Sequence, residues 1–251
     1  MLFFPSSLLS WIIYLIDRRH IKIAEDNLKL TRFVDEREIP TFVRTLIKNF
    51  ILFIRELFIF FLFPQSILKK CRFLEVEPCN GQRIFFSAHL SNWEIMIYAH
   101  GSLRGKIAIV GKRLKNPFYD RLLTILRKRG NVIVLHPDEP FKIMRFLKKG
   151  YSIGFLIDQY PVGENYCEVD FLGVKTRCTT APARLSILTG IPMQAGFISR
   201  NGKFYDVLYG RIIKPDGKTT DEIMKEATEI IEEEIRKNPE EYLWFHRRWR
   251  N

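Results

Sequence analysis

Short apolar runs alternate with helical patterns between residues 83 and 198, and this alternation limits the fold more than any other feature of the chain. Each run is short and rich in β-branched or aromatic residues, as buried strands are. The expected strands are Arg83–Ala88, Lys106–Val110, Asn131–Leu135, Ser152–Ile157 and Pro192–Ile198. The helical patterns between them cover Asn92–His100, Pro117–Lys128, Glu139–Lys149 and Thr179–Thr189. This order predicts an α/β fold with a mostly parallel central sheet flanked by helices.

Two apolar stretches precede these strands, in a region that has helical character to about residue 70. Leu2–Ile16 carries no charge and is short for a membrane span of about 20 residues. It also lacks the charged start and cleavage site of a signal peptide, so we expect an uncleaved anchor or interfacial helix. Phe50–Phe63 contains Arg55 and Glu56, which would be costly in a bilayer centre, so an in-plane or core helix is expected. The alternative is that both stretches are buried core helices.

Length and composition narrow the domain organisation and the classes of site. We expect an N-terminal apolar and helical membrane-attachment region, residues 1–70, and a single α/β unit, residues 71–251. The chain has 40 Lys+Arg against 28 Asp+Glu, a formal net charge of +12, which favours phospholipid headgroups, acidic carrier proteins or nucleic acid as partners. The four cysteines lack metal-ligand spacing, so neither a metal site nor a disulfide framework is expected.

A histidine and a glutamate directly follow the first of the alternating strands. His89 is expected at the strand's carboxyl end, where ligands bind in such sheets, and Glu94 in the first turn of the next helix. A carboxylate bonded to one imidazole nitrogen leaves the other nitrogen free to take a proton from a hydroxyl. On spacing alone, an equally good interpretation is that Ser91 to Glu94 forms a capping box that only satisfies backbone donors.

The segment from His89 to Glu94 resembles the H-x(4)-D/E motif of the lysophospholipid acyltransferase superfamily. Its context is similar to that of the bacterial lipid A late acyltransferases, the lauroyl and myristoyl transferases. The shared blocks are NLK, HLSNWE, VGKRLKNPFYD, FLIDQ, TTAPARL, TGIPM and EYLWFHRRWR. These blocks agree in order and together span nearly the whole chain.

The resemblance implies transfer of a fatty acyl chain from a thioester to a hydroxyl of a lipid A precursor, without a cofactor. The donor would be acyl carrier protein or acyl-coenzyme A. His89 would be the general base and Glu94 its partner. The family also uses a basic residue before Asn116, which matches Lys112 or its neighbour Arg113. A cation there would stabilise an oxyanion or hold a phosphate, although a solvated loop pair is the alternative.

Five more residues are candidates for substrate binding. Asp158 and Gln159 end an apolar strand and would face the crevice beside His89, unless they only form a turn. Asn92 lies inside the HLSNWE block. Arg247 and Arg248 stand among aromatic residues, a composition suited to a lipid headgroup layer or phosphate, or to simple packing.

The expected partners are a glycolipid acceptor, a thioester donor and a membrane surface. Basic residues after the first apolar stretch place the rest of the chain on the cytoplasmic side of a membrane. The resemblance implies that this is a bacterial inner membrane. Lys148-Lys149 and the terminal arginines are candidates for steering an acidic carrier protein. The rival functions are an acyltransferase for another glycolipid or lysophospholipid, and a membrane-binding or nucleic-acid-binding protein without activity. No RNA-binding aromatic motif supports nucleic acid.

Overall fold

A computed structural model describes residues 17–114, 116–161 and 163–249. Its strands are β1 (Cys71–Glu75), β2 (Ile84–Ser87), β3 (Ile107–Val110), β4 (Val132–Leu135), β5 (Ser152–Leu156), β6 (Tyr166–Phe171), β7 (Val174–Thr179), β8 (Met193–Asn201) and β9 (Phe204–Ile213). Its helices are α1 (Arg18–Thr31), α2 (Ile39–Leu62), α3 (Pro64–Leu68), α4 (Trp93–Leu103), α5 (Pro117–Arg129), α6 (Pro140–Lys148), α7 (Ala181–Thr189) and α8 (Thr220–Lys237), followed by a 3-10 turn at Pro239–Glu241. The expected anchor Leu2–Ile16 lies outside the described residues.

Seven strands form one sheet in the order β1-β9-β8-β2-β5-β3-β4. All neighbouring pairs are parallel except β8 and β9, which are antiparallel. The predicted α/β fold with a mostly parallel sheet is therefore confirmed, and each of the five expected strands is present. The sequence analysis did not predict β1, β9 or the separate hairpin of β6 and β7.

Side chains of β2 alternate between the two faces of the sheet, because successive residues of a strand point to opposite sides. Ile84 and Phe86 belong to a large core that also includes helices α1, α6, α7 and α8. Phe85 faces the other side, which is covered by α4, α5 and the second half of α2. The same alternation directs Ser87, and then His89, towards this second side.

The region before residue 70 packs against the sheet domain. Ile21 and Leu28 of α1 and Val43 of α2 lie in the same core as the central strands. The stretch Phe50–Phe63 forms the second half of α2, where Phe60 is fully buried and several other apolar side chains are exposed. No helix within the described residues combines the length and apolar character that a membrane crossing requires.

Candidate active site

The loop that carries His89 is held in place by the end of the chain. Leu90 forms an isolated antiparallel bridge with Tyr242. The backbone N–H of Leu243 donates to the His89 carbonyl at 3.0 Å, and that of Ser91 donates to the Glu241 carbonyl at 2.9 Å. The EYLWFHRR block therefore includes the segment that fixes the HLSNWE loop, which explains why two blocks so distant in sequence belong to one site.

His89 is paired with Asp158. Its Nδ1 lies 2.8 Å from Asp158 Oδ1, in the arrangement where a ring N–H donates to a carboxylate. The parallel register explains the contact, because Ser87 of β2 lies opposite Leu156 of β5, and both side chains follow two residues later. Burial raises the pKa of Asp158, but the charge and hydrogen bond of His89 outweigh it and hold the pKa at about 2.

Glu94 contacts Arg127 instead of His89, and this corrects the expected pair. Its two carboxylate oxygens accept from Arg127 Nε at 2.9 Å and Arg127 Nη2 at 2.5 Å. The first turn of α4 lies beside α5, so the carboxylate points to that helix. The capping box is also not formed, since no side chain caps α4 and the Ser91 hydroxyl has no hydrogen-bond partner among the described residues. Burial lowers the pKa of Arg127, but Glu94 outweighs it and raises the value.

The second ring nitrogen of His89 lies beside Gln159, and two basic residues border the same cavity. Gln159 Nε2 lies 3.3 Å from His89 Nε2, the nitrogen that is not bonded to Asp158. Lys112 and Arg113 follow β3 and border the same cavity as His89. Arg113 Nε lies 3.4 Å from a nitrogen of His136. Sequence analysis therefore grouped Lys112, Arg113, Asp158 and Gln159 correctly as residues around His89, while their roles remain predictions.

A cavity of about 570 Å³ opens beside His89, within the range of ordinary ligand pockets. It extends under α4 and α5 from His89 past Ser87 to Phe85, and so covers about 7 Å of strand below the carboxyl edge of the sheet. Its inner wall is largely apolar, with Met96, Ile107 and Ile109 among its members. The cavity therefore has the volume and the lining for a hydrocarbon chain with its reactive end near His89.

One polar pair borders the inner part of this cavity. The side chains of His100 and Tyr209 share a hydrogen bond of 2.7 Å. Burial, assisted by the nearby charge of Arg104, lowers the pKa of His100 to about 4, and burial raises that of Tyr209. Both side chains are therefore neutral near pH 7, so this pair adds no charge to the inner part of the cavity.

Two expected substrate contacts are buried in the structure and are corrected here. Asn92 is fully buried, and its amide donates to Glu56 at 3.0 Å, because it joins the His89 loop to α2. Arg248 is 1% exposed and donates to the carbonyl of Arg177, because the terminal segment folds back onto the β6–β7 hairpin. Arg247 is exposed, so its contact with substrate or lipid stays a prediction.

Arg127 was missed by the sequence analysis. A usable signal exists, because Arg127 follows Leu123 by four residues on the apolar side of α5. A cation on the apolar side of a helix needs a buried partner, and Glu94 supplies it.

Comparison with known proteins shows the family of the chain. The family model described as bacterial lipid A biosynthesis acyltransferase matches residues 3–251. A lipid A biosynthesis palmitoleoyltransferase of Escherichia coli (strain K12) is 33% identical over 129 residues, which is 49% of this chain and 42% of the relative. A lipid A biosynthesis acyltransferase of Shigella flexneri gives the same values, so the match spans less than half the length of each relative. The resemblance seen in the motifs is thereby confirmed, and the chain belongs to the bacterial lipid A biosynthesis acyltransferase family.

Proposed function

We propose that this protein transfers a fatty acyl chain from a thioester to a hydroxyl of a lipid A precursor, with His89 as general base. The observation that carries the proposal is the position of His89. One ring nitrogen is fixed by a buried carboxylate at 2.8 Å, and the ring borders an apolar cavity of about 570 Å³. Family membership supports the acyl-transfer chemistry and lipid A as the acceptor class.

The reaction follows from the tautomer that Asp158 selects. With the Nδ1 proton directed to Asp158, His89 Nε2 has a free lone pair that accepts the proton of the acceptor hydroxyl. The hydroxyl oxygen attacks the thioester carbonyl, the carbon–sulfur bond breaks, and the leaving thiolate takes the proton from the imidazolium. The acceptor hydroxyl takes the place of the Gln159 amide beside Nε2. No covalent acyl-enzyme is needed.

Cations at the cavity stabilise the negative charge that develops on the carbonyl oxygen. Arg127 borders the cavity, and the bidentate contact with Glu94 fixes the plane of its guanidinium. Glu94, the carboxylate of the motif, thus acts through Arg127. Lys112 and Arg113 are exposed at the entrance, where they bind a phosphate of the acceptor or donor.

The partners are an acidic acyl carrier protein as donor, a glycolipid acceptor and a membrane surface at the cytoplasmic side. The chain has 40 basic against 28 acidic residues, and this excess of positive charge supports a polyanionic partner. The names of the two relatives support lipid A as the acceptor class. Coenzyme A thioesters are the alternative donor.

The test is acyl transfer by the purified full chain from a radiolabelled acyl carrier thioester to a lipid A precursor. We expect His89→Ala to lower the rate about 10²- to 10⁴-fold, the usual contribution of a general base. His20→Ala is the matched control, because His20 is an exposed histidine of α1 whose ring, within the described residues, bonds to its neighbour Asp17. A folded His89→Ala protein with unchanged transfer would refute the proposal.

The two carboxylates are separated by combining each variant with His89→Ala. Asp158→Asn removes the carboxylate that holds the imidazole, so it should lower the rate in the parent and cause no further loss in His89→Ala. Glu94→Gln should lower the rate in both backgrounds, because Glu94 contacts Arg127. The opposite pattern would return Glu94 to the role of direct partner. Faster transfer to a lysophospholipid than to the lipid A precursor would reassign the acceptor.

A further inference from the structure

Helix α2 has a row of large apolar side chains that are exposed in the described part of the chain. Phe50, Ile54, Phe58 and Leu62 follow one another at intervals of four residues and therefore lie on one side of the helix. They are 41%, 49%, 63% and 49% exposed. Single exposed apolar residues are ordinary, but a continuous row of them indicates an interaction surface.

Helix α5 continues this surface. Phe118 and Tyr119 at its start are 70% and 56% exposed. Its end contacts α2, since Arg129 donates to the Phe61 carbonyl at 3.3 Å and its guanidinium lies 5.2 Å from the Phe61 ring. The buried sides of the two helices also share one hydrophobic cluster. We call the exposed sides of α2 and α5 together the α2–α5 face.

The charges on the α2–α5 face all have the same sign. The charged residues of these two helices that are exposed are Arg44, Lys48, Arg55, Arg121, Lys128 and Arg129. Of the two carboxylates on α2 and α5, Glu56 is buried against Arg200, and Asp120 is half-exposed and accepts from the Leu114 backbone. Apolar and cationic side chains on one surface suit the headgroup layer of an anionic bilayer.

The face adjoins the entrance of the site. The Phe53 ring of α2 lies 4.7 Å from the Trp93 ring, and the Trp93 ring lies 4.7 Å from the His89 ring. On the α5 side, exposed Leu114 borders the cavity. Aromatic side chains are therefore in continuous contact from α2 to His89.

We propose that the α2–α5 face lies on an anionic phospholipid bilayer, with Phe58 and Phe118 in the interfacial layer and the cavity entrance at the membrane surface. The lipid nature of the substrate rests on the proposed function. The position of the α2–α5 face on the bilayer can be measured without any acyl transfer. A failure of this proposal is therefore distinguishable from a failure of the proposed function.

The first test locates the face relative to the bilayer. Spin labels are placed on the full chain by Phe58→Cys, by Phe118→Cys and, on the opposite side, by Glu229→Cys, with the parent chain as background. In the presence of phosphatidylglycerol-containing vesicles, we expect the first two labels to gain contact with oxygen and lose contact with an aqueous nickel chelate. The label at position 229 should stay aqueous. Vesicle-bound protein with aqueous labels at 58 and 118 would overturn the proposal.

The second test measures affinity for vesicles. The double variant Phe58→Ser with Phe118→Ser should weaken binding about tenfold or more. Leu188→Ser should not weaken it, although Leu188 of α7 is also an exposed apolar residue.

The charged residues are tested in the same assay. Arg55→Gln with Lys128→Gln should weaken binding to anionic vesicles roughly fivefold per cation and leave binding to neutral vesicles unchanged. The matched control is Lys225→Gln with Lys237→Gln on α8, which makes the same change in charge. If both charge variants lost the same affinity for anionic vesicles, the effect would come from net charge alone, and the proposal that the α2–α5 face binds the bilayer would be wrong. A dimer in solution that Phe58→Ser disrupts would assign the face to a second copy instead.

Discussion

Helices α8 and α5 cover opposite faces of the same sheet, but they do so in different ways. Eight of the 18 residues of α8 are buried, and its exposed side is polar. Of the 13 residues of α5, which are all described, only Leu126 is buried, and Phe118 and Tyr119 are exposed. A helix normally gains its stability by packing an apolar side. Helix α5 forgoes much of this packing because it covers a cavity.

The difference separates two tasks within one domain. The packed face continues from α8 through Pro239–Glu241 to Leu243. Glu241 and Leu243 hold the His89 loop by backbone hydrogen bonds. The open face provides the cavity. The well-packed side of the sheet, which includes α8, thus holds the loop of His89. The less densely packed side, which includes α5, provides the space for substrate. Loosely packed elements open more readily, which suits the wall of a binding site.

The largest expected effect is on the free energy of unfolding when apolar side chains of the two helices are shortened to alanine. Ile231→Ala on α8 should lower the free energy of unfolding by about 2–5 kcal/mol, because Ile231 is 1% exposed and its loss leaves a void. Leu123→Ala on α5 should cost less than about 1 kcal/mol, because Leu123 borders the cavity. Urea denaturation followed by tryptophan fluorescence measures both. Equal losses would show that α5 belongs to the packed core and would break the comparison.

The next effect is a pH dependence that originates on the open face. The pKa of His100 is about 4 in the folded protein, lowered first by burial and then by Arg104, against 6.5 unfolded. Below pH 6.5 the unfolded imidazole binds a proton that the folded one does not. Its contribution to stability is therefore complete above pH 6.5 and is lost as the pH falls from 6.5 towards 4, by roughly 2 kcal/mol at pH 5.

His100→Gln tests this assignment, because glutamine keeps a hydrogen-bonding group near Tyr209 without a titrating ring. The unfolding free energy of the variant should change less between pH 7.5 and pH 5 than that of the parent. Asp158 does not interfere, since its lowered pKa costs stability only as the pH falls from 3.8 towards 2. A parallel pH dependence in both proteins would place the titrating group elsewhere.

The sequence predicted the strands whose pattern is a continuous apolar run. Strand β2 is buried at each of its four residues, and β5 is similar. The hairpin of β6 and β7 was missed because its residues alternate between buried and exposed, which weakens the apolar signal. Strand β1 was missed because it is a partly exposed edge strand.

For the site, the sequence placed His89 at the edge of the sheet but did not predict Asp158 as the residue that its ring contacts. The expectation of Glu94 came from the resemblance to the H-x(4)-D/E motif, whereas the contact with Asp158 joins residues 69 apart. That contact depends on the register of β2 against β5, which no local pattern contains. Asp158 was nevertheless placed in the right crevice, because the carboxyl ends of parallel strands meet at one edge of the sheet.

The smallest expected effect concerns the caps of the same two helices. Thr219 caps α8 through a capping box with Glu222, and Asn116 caps α5 by accepting from the Phe118 N–H at 3.0 Å. Thr219→Ala should lower the free energy of global unfolding by about 1 kcal/mol, because α8 unfolds together with the core. Asn116→Ala should lower it by less, because fraying of α5 exposes little core.

Hydrogen exchange shows whether the loss of the Asn116 cap loosens only the start of α5 or destabilises the whole domain. In Asn116→Ala the amides of the first turn of α5 should exchange faster, while the amides of β2 and β5 keep the rates of the parent. In Thr219→Ala the slowest core amides should exchange faster by the same free energy that urea denaturation reports. If Asn116→Ala also accelerated the core amides, α5 would unfold only with the whole domain. The cavity wall would then be as cooperative as the packed face, and the looser packing of α5 would have no bearing on how substrate enters.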